Sequence, residues 1–494
     1  MDGSAGVVHR FMTIPYAEPP VGNLRFMKPR PHPGWTGVRD GSMLGNACIQ
    51  VDSPLPLPVG VDESEDCLVL NVYVPDTGYF PNTSLPVMIF VHDGGFQWGT
   101  GYYYDGAKLA LTGNVIYVTL NYRLDLLGWI STGNKLIPGN TGFFDQLLAI
   151  KWVRDNIASF GGDPDEITLH GLSSGAESVM AHVYSPLSTG LFKRGIVNSA
   201  PASWHYDEPW QRRASFREFA SLAGCSQRWT RNIISCLQQL DVEALRSSNY
   251  AATLPELAFD LAYRVVDGEF LTQTPREALD SGRFNDVDLI IGFTELDGNT
   301  VGTFGLGALA ATTGLPVTLD DAFARGILPL PNPINGQMDL IQGLAISVAL
   351  SFTLSGQPYI TDFAELAEEE SNAALMYNMV NQEYFTRQSR ADTVADLESF
   401  MRLLSTGCFT SYSHRVAQVM SSNPNNTVYM YQFSHRSQSI VVPSTPPESI
   451  ITDLGAFHAD DLYYIFGLLP FTDAADLGVQ EAVMTSFTSF ATDR

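Results

Sequence analysis

Apolar, β-branched runs recur along the chain with little polar alternation. They are Pro86 to His92 (PVMIFVH), Asn114 to Tyr122 (NVIYVTLNY), Glu166 to Gly171 (EITLHG), Arg194 to Ala200 (RGIVNSA), Asp288 to Phe293 (DLIIGF) and Thr427 to Phe433 (TVYMYQF). Short continuous apolar runs of this kind predict strands covered on both faces. Between them the period changes. In Asp145 to Gly161 (DQLLAIKWVRDNIASFG) the apolar positions 147, 148, 152, 153, 157 and 160 fall on one side of a helix. Strands alternating with helices predict an α/β chain with a mostly parallel central sheet flanked by helices. No internal repeat, low-complexity tract or long linker breaks the alternation, so one domain over 1–494 is expected. The proline-rich segments Pro54 to Val59 and Leu328 to Pro333 read as rigid surface loops.

Composition narrows the partners. The formal charge is −25, from 28 basic and 53 acidic residues. Nucleic acid and anionic membrane surfaces are repelled by such a balance, whereas neutral or cationic small molecules are not. The apolar run nearest to a membrane span, Leu340 to Phe352, is broken by Gln342 and Gly343 and falls short of the ~20 residues a span needs; the chain reads as soluble.

Five cysteines are too few for a disulfide-built scaffold. Cys225 and Cys236 bracket an amphipathic stretch, and Cys48 and Cys67 flank a proline-rich loop, with Cys408 left over. Two closed loops fit an oxidising compartment, each bridge contributing ~2–4 kcal/mol; five buried thiols are the other reading. Two sequons, at Asn82 and Asn425, are glycosylation candidates and point the same way. No signal peptide opens the sequence, so export cannot be read from its first residues.

The candidate chemistry lies in LHGLSSGAES, Leu169 to Ser178. A predicted strand runs into Gly171-Leu172-Ser173-Ser174-Gly175, and a helical pattern follows. Strand, sharp turn and helix are the setting of a nucleophile elbow: the glycines permit the bend and the helix N-terminus faces the serine. Ser174 and Ser178 lack the bracketing glycines, so Ser173 is the candidate nucleophile. A serine of this kind needs a base, an acid behind it and oxyanion donors, in the chain order Ser, acid, His. The strand ending at Phe293 presents Glu295 and Asp297 at its C-terminal edge. Of the histidines that follow, His414 lies in a helical pattern, His435 at a strand end and His458 in a loop beside a glycine; His458 is the best-placed base.

These residues resemble the type B carboxylesterases, a family with cholinesterases and fungal lipases in the α/β-hydrolase superfamily. The resemblance runs through FMTIPYAEPPVGNLRF, SEDCLVLNVYVP, HDGGFQWG, the segment from GNTGFFDQ to ITLHG, FKRGIVNSA, IIGFTELDG and GAFHADDLYYIFG. It implies the α/β-hydrolase fold and a triad of Ser173, Asp297 and His458, with the oxyanion held by the backbone N–H groups of Gly94, Gly95 and Ser174. It also implies disulfides Cys48–Cys67 and Cys225–Cys236, a buried Arg25–Glu65 ion pair, a supporting Ser199 and a free Cys408. The expected substrate is a small or medium neutral ester, with no cofactor or metal, in a secreted or secretory-pathway protein whose oligomeric state is open. The alternative is a weak or inactive relative acting as an adhesion or binding protein.

Three departures stand out. Leu172 replaces the carboxylate usual beside the nucleophile, Ser174 replaces an alanine, and Asp93 replaces a glycine of the oxyanion loop. No tryptophan lies between Cys48 and Glu65 to hold a quaternary ammonium group, so choline esters are not expected. The Asp93 carboxylate has two orientations: facing the developing oxyanion, or turned to cap a neighbouring backbone N–H, the expected one because Gly94 and Gly95 leave the loop free. Compared with the family pattern, both ends look clipped.

Overall fold

A computed structural model describes residues 6–51, 53, 55–76, 84–201, 206, 208–252, 264–298, 402, 405–437 and 455–492. Asn82, the side chain of Cys408, the run Leu340 to Phe352 and the loop Leu328 to Pro333 lie outside them. The described strands are β1 Val8–Pro15, β2 Ala47–Cys48, β3 Glu63–Ser64, β4 Val69–Pro75, β5 Leu85–Val91, β6 Ile116–Leu120, β7 Gly162–Leu172, β8 Arg194–Asn198, β9 Asp288–Thr294 and β10 Val428–Phe433. Eight of them form one sheet in the order β1-β4-β6-β5-β7-β8-β9-β10. β1 and β4 pair antiparallel, as do β4 and β6, and from β6 to β10 every pairing is parallel. This is the mostly parallel, helix-flanked sheet of an α/β-hydrolase fold.

Successive side chains on a strand point to opposite faces, and the two faces feed separate cores. On one, Val87, Ile89, Val91, Ile167, Leu169 and Val197 pack with Ile150 and Val153 of the helix Thr141–Asn156 and with Val179 and Val183 of the helix Ser174–Tyr184. On the other, Met88, Phe90, Leu172, Ile196 and Ile290 pack with Leu462, Ile465 and Phe466, and with Met484 and Phe487 of the helix Ala474–Thr492. Both faces being dry explains why the strands read as unbroken apolar runs. β10 is the exception: at the sheet edge it leaves Tyr429 57% and Met430 39% exposed, so the expectation that it is covered on both faces is corrected.

Two further differences concern polar residues. The helix expected from Asp145 begins at Thr141 and ends at Asn156, followed by a 3-10 turn, Ile157–Phe160. Asp145 is no start signal; it is buried inside the helix in a two-point bond with Arg123 (2.6 and 2.8 Å). β1 escapes the pattern because its register shifts between Phe11 and Ile14, where Thr13 takes a positive φ.

Cys48 pairs with Cys67 and Cys225 with Cys236. Arg25 joins the two closed loops: it meets Glu65 through two bonds of 2.6 Å and donates to the carbonyls of Leu237 and Leu240, at the end of the helix Thr230–Leu237 that carries Cys236. A buried ion pair with its remaining donors satisfied holds position at little net cost. No described helix is long and apolar enough to cross a membrane.

Closing loops of 19 and 11 residues is worth ~3 kcal/mol each in the chain-entropy model. Reductant should therefore lower the melting temperature by several degrees, with the two pairs resisting alkylation until reduced. An unchanged melt with every cysteine open to alkylation would refute the pairings.

Candidate active site

Parallel strands bring their C-terminal ends to one edge, and the candidate residues follow those ends directly. His92 to Gly95 leave β5, Ser173 leaves β7, Ser199 leaves β8 and Asp297 follows β9. The ends are level: Val91 pairs with Gly171, Gly171 with Val197, and Val197 with Ile291. Ser173 and Ser199 both take a positive φ, 53° and 52°. Each donates its N–H to the neighbouring strand, Ser173 to the Asn198 carbonyl (2.9 Å) and Ser199 to that of Gly292 (2.7 Å). Backbone in this region costs about 1–3 kcal/mol per residue and persists where the surroundings over-determine it.

The elbow glycines answer to steric contact. A Cβ on Gly171 would lie 2.2 Å from the Gly175 carbonyl oxygen, and one on Gly175 would lie 2.0 Å from that of Val91. Only bare backbone lets the helix Ser174–Tyr184 start this close to the sheet, with Ser173 at its N-cap and the positive end of the helix beside the serine. Ser174 opens the helix, so its N–H has no intrahelical acceptor. Leu172 points the other way, fully buried in the second core.

The candidate acid and base are joined. Asp297 is fully buried; Oδ1 pairs with His458 Nδ1 at 2.8 Å, while Oδ2 accepts from the Ser199 hydroxyl (2.9 Å) and the Thr294 N–H (2.7 Å). A bridge between Leu296 and Phe457 aligns the two loops one residue earlier. The His458 side chain is 8% exposed, and its ring packs on Phe409 at 5.2 Å. Burial pulls the imidazole pKa down. The hydrogen bond and charge of Asp297 outweigh it and hold the pKa above the ordinary value, with same-signed help from Asp93 and Asp461 when ionised. Glu295, the competing acid, instead faces Arg402 at 3.7 Å. His414 is exposed on the helix Ser411–Met420, and His435 pairs with Asp476 at 2.8 Å.

The β5 loop is tied from several sides. The Gly94 carbonyl accepts from the N–H groups of Gln97 and Trp98, the Phe96 carbonyl from Asp125 N–H, and Gln50 brackets Gly99. None of these bonds uses the N–H of Gly94 or Gly95. His92 is buried against Tyr122, ring centroids 4.4 Å apart, and burial lowers its pKa to about 4. Asp93 is 9% exposed. Its carboxylate turns aside, as the loop's freedom suggests; the Tyr104 hydroxyl donates to Oδ1, and the backbone N–H that meets the carboxylate is its own and not the neighbouring one expected from sequence. Burial pushes its pKa up against that bond.

Several residues escaped sequence reading. Asn198, whose carbonyl holds Ser173, donates from its side chain to Tyr431 (2.6 Å) and to Asp461 Oδ2 (3.0 Å), which also accepts from Tyr431 (2.9 Å). Tyr431 crosses where Gly292 leaves room: a Cβ there would meet its ring at 1.8 Å. Asp461 is fully buried three residues after His458, and burial raises its pKa. The HADD run around His458 is the one signal that marked it. Glu177, one turn into the elbow helix, is bound by Arg264 (2.7 and 3.1 Å) and Tyr206 (2.8 Å).

Comparison with known proteins places the chain in a family. The carboxylesterase family model matches residues 1–494. Pyrethroid hydrolase Ces2e of Rattus norvegicus is 40% identical over 296 residues, 58% of this chain and 50% of its own. Cocaine esterase of Oryctolagus cuniculus is 38% identical over 300 residues, 59% of this chain and 55% of its own. Cholinesterase of Mus musculus is 29% identical over 506 residues, 98% of this chain and 75% of its own. The chain thus spans about half the length of the first two.

The steric reading of the elbow has a direct check. Gly175→Ala and Gly171→Ala should each destabilise by at least ~2 kcal/mol in urea unfolding, because the new methyl meets backbone that has no room to move. Gly478→Ala, in open space on the helix Ala474–Thr492, should be neutral or gain up to ~1 kcal/mol. Equal effects at all three positions would remove the close approach as the reason for these glycines.

Proposed function

The chain belongs to the carboxylesterase family, and from that premise we propose that it is a carboxylic-ester hydrolase working through an acyl-enzyme on Ser173. The observation that supports this reading most is the buried Asp297–His458 bond on the same sheet edge as the elbow serine. His458 takes the proton of the Ser173 hydroxyl as the oxygen attacks the ester carbonyl. The oxyanion that forms is met by the N–H groups of Gly94, Gly95 and Ser174. Its collapse breaks the bond to the alcohol, which leaves with the proton from His458. Water, deprotonated by the same imidazole, then attacks the acyl-serine and frees both acid and Ser173. Asp297 fixes Nδ1–H and stabilises the imidazolium.

The substrates in this reading are small to medium neutral esters, and the machinery needs no cofactor. The two disulfides and the exposed Asn425, a sequon asparagine whose amide lies 2.9 Å from Asp286, support a secretory-pathway setting. We read the chain as one catalytic domain.

Ser173→Ala should abolish hydrolysis of nitrophenyl esters and labelling by a serine-directed organophosphate while leaving the melt unchanged. Lack of label on the wild-type protein would favour a binding protein that has lost the chemistry. Asp297→Asn should lower kcat by a factor on the order of 10⁴, whereas Glu295→Gln should change it less than ~tenfold. The reverse ranking would move the acid to Glu295.

The acid limb of kcat/KM reports the base of the free enzyme, which must be neutral to act. Because the His458 pKa is raised, activity should be lost as pH falls through a value above 6.5. Replacing the carboxylate in Asp297→Asn should move the residual limb to lower pH. A limb in the wild type below the ordinary imidazole value would separate the base from the Asp297 partnership.

A further inference from the structure

Asp93 is a carboxyl group placed immediately before two of the candidate oxyanion donors, and neither the family pattern nor the mechanism above requires it there. Its side chain is buried, and no lysine or arginine among the described residues pairs with it. The side-chain hydrogen bond it receives comes from the Tyr104 hydroxyl. Tyr104 is itself enclosed, its ring 4.8 Å from Phe90 and 5.0 Å from Phe466. The titratable groups that face the carboxyl are Tyr103, which ends the Gly101–Tyr103 turn, Tyr104 after it, Tyr122 after β6, and His458 from the loop before the helix Asp460–Ile465, while the ring of its neighbour His92 turns to the Asp93 backbone carbonyl (2.7 Å). The tyrosines are neutral in the working range and burial keeps His92 neutral. His458 is therefore the one facing group that becomes cationic near neutrality.

That arrangement constrains the charge on Asp93. A buried carboxylate without a cation is costly, and one phenol O–H together with the contact of its own backbone N–H offsets only part of the cost. When His458 is neutral, as it must be to take the serine proton, nothing on the facing elements compensates a negative Asp93. Although the side chain turns to Tyr104, a negative charge there would still sit on the loop whose neighbouring N–H groups are to hold the oxyanion.

We propose that Asp93 and Tyr104 form a neutral carboxyl–phenol pair that positions the oxyanion loop, and that ionisation of Asp93 switches the esterase down at alkaline pH. The neutral carboxyl accepts from Tyr104 through Oδ1 and carries its own proton on the other oxygen. Losing that proton puts an uncompensated charge into the loop. The productive enzyme is the form in which His458 has lost its proton and Asp93 has kept one.

The proposal rests on the esterase reading, and two measurements separate their failures. The first is kcat/KM against pH for a neutral nitrophenyl ester. The wild type should give a bell, with an alkaline fall of at least ~tenfold. Asp93→Asn, which keeps the shape without the charge, should leave the acid limb in place and abolish the alkaline fall. Tyr104→Phe removes the donor that favours the ionised form, so its alkaline limb should move to higher pH. If Asp93→Asn instead shifts the acid limb to lower pH with the alkaline side unchanged, Asp93 is ionised and acts as a second anion for the imidazole, and the proposal fails. Superimposable profiles overturn it as well. The second measurement is infrared titration of wild type minus Asp93→Asn, which reads the protonated carboxyl without turnover, so it stands even if no ester is hydrolysed. A carboxylic-acid band present near neutrality and lost at alkaline pH supports the pair; its absence near neutrality overturns it.

Discussion

Much of the site depends on how closely the helix Ser174–Tyr184 is pressed against the end of β5. The carbonyl of Val91 occupies the space where a side chain on residue 175 would begin, and that of Gly175 blocks one on residue 171. Because the backbones touch there, Ser173 is forced into a conformation that residues rarely adopt, and its N–H turns to the Asn198 carbonyl. The same contact brings the first amide of the helix toward the loop that leaves β5, so the serine and its proposed donors are fixed by backbone geometry. Side-chain rotamers contribute little to this part. Its accuracy comes from the dry, two-sided packing of the sheet, which leaves the strand ends no slack.

The second organising feature is the crowding of carboxyl groups around one imidazole. Asp297 is engaged on both oxygens and meets the ring directly. Asp461 is held off by Asn198 and Tyr431, and Asp93 by Tyr104. Burial penalises the charge on the latter two. Asp297 has a backbone N–H and a serine hydroxyl to stabilise its charge and a ring to share it with. Partner type, more than proximity alone, divides the roles of these acids.

The central strands were legible because both faces of the sheet are dry and each run is apolar throughout. The elbow was legible because a steric requirement for glycine leaves a mark that composition cannot hide. Asp297 was separable from Glu295 only through the family resemblance; in the structure the difference is burial and the distance to His458, neither of which periodicity records. The networks escaped altogether. Nothing local to Asp461 names Asn198, 263 positions away, and nothing local to Glu177 names Arg264. The partner of Asp93 was similarly hidden: the two glycines beside it suggested that the carboxylate turns away, but only the packing of Tyr104 brings a phenol to meet it.

Asp297 and His458 are 161 positions apart, yet the acid is held by the amide of Thr294, three residues before it, and by Ser199 on the adjoining strand end. The carboxylate is thus aimed from the ends of β8 and β9. The chain between the pair contributes at separate points, through Phe409 against the ring, the Phe433 carbonyl against the Glu295 N–H, and the Leu296–Phe457 bridge. In polymer terms these points are pins, and doubling a loop between two of them would cost only ~0.6 kcal/mol of closure entropy. A lineage could therefore change the chain's length between the pins while leaving the proposed reacting groups untouched.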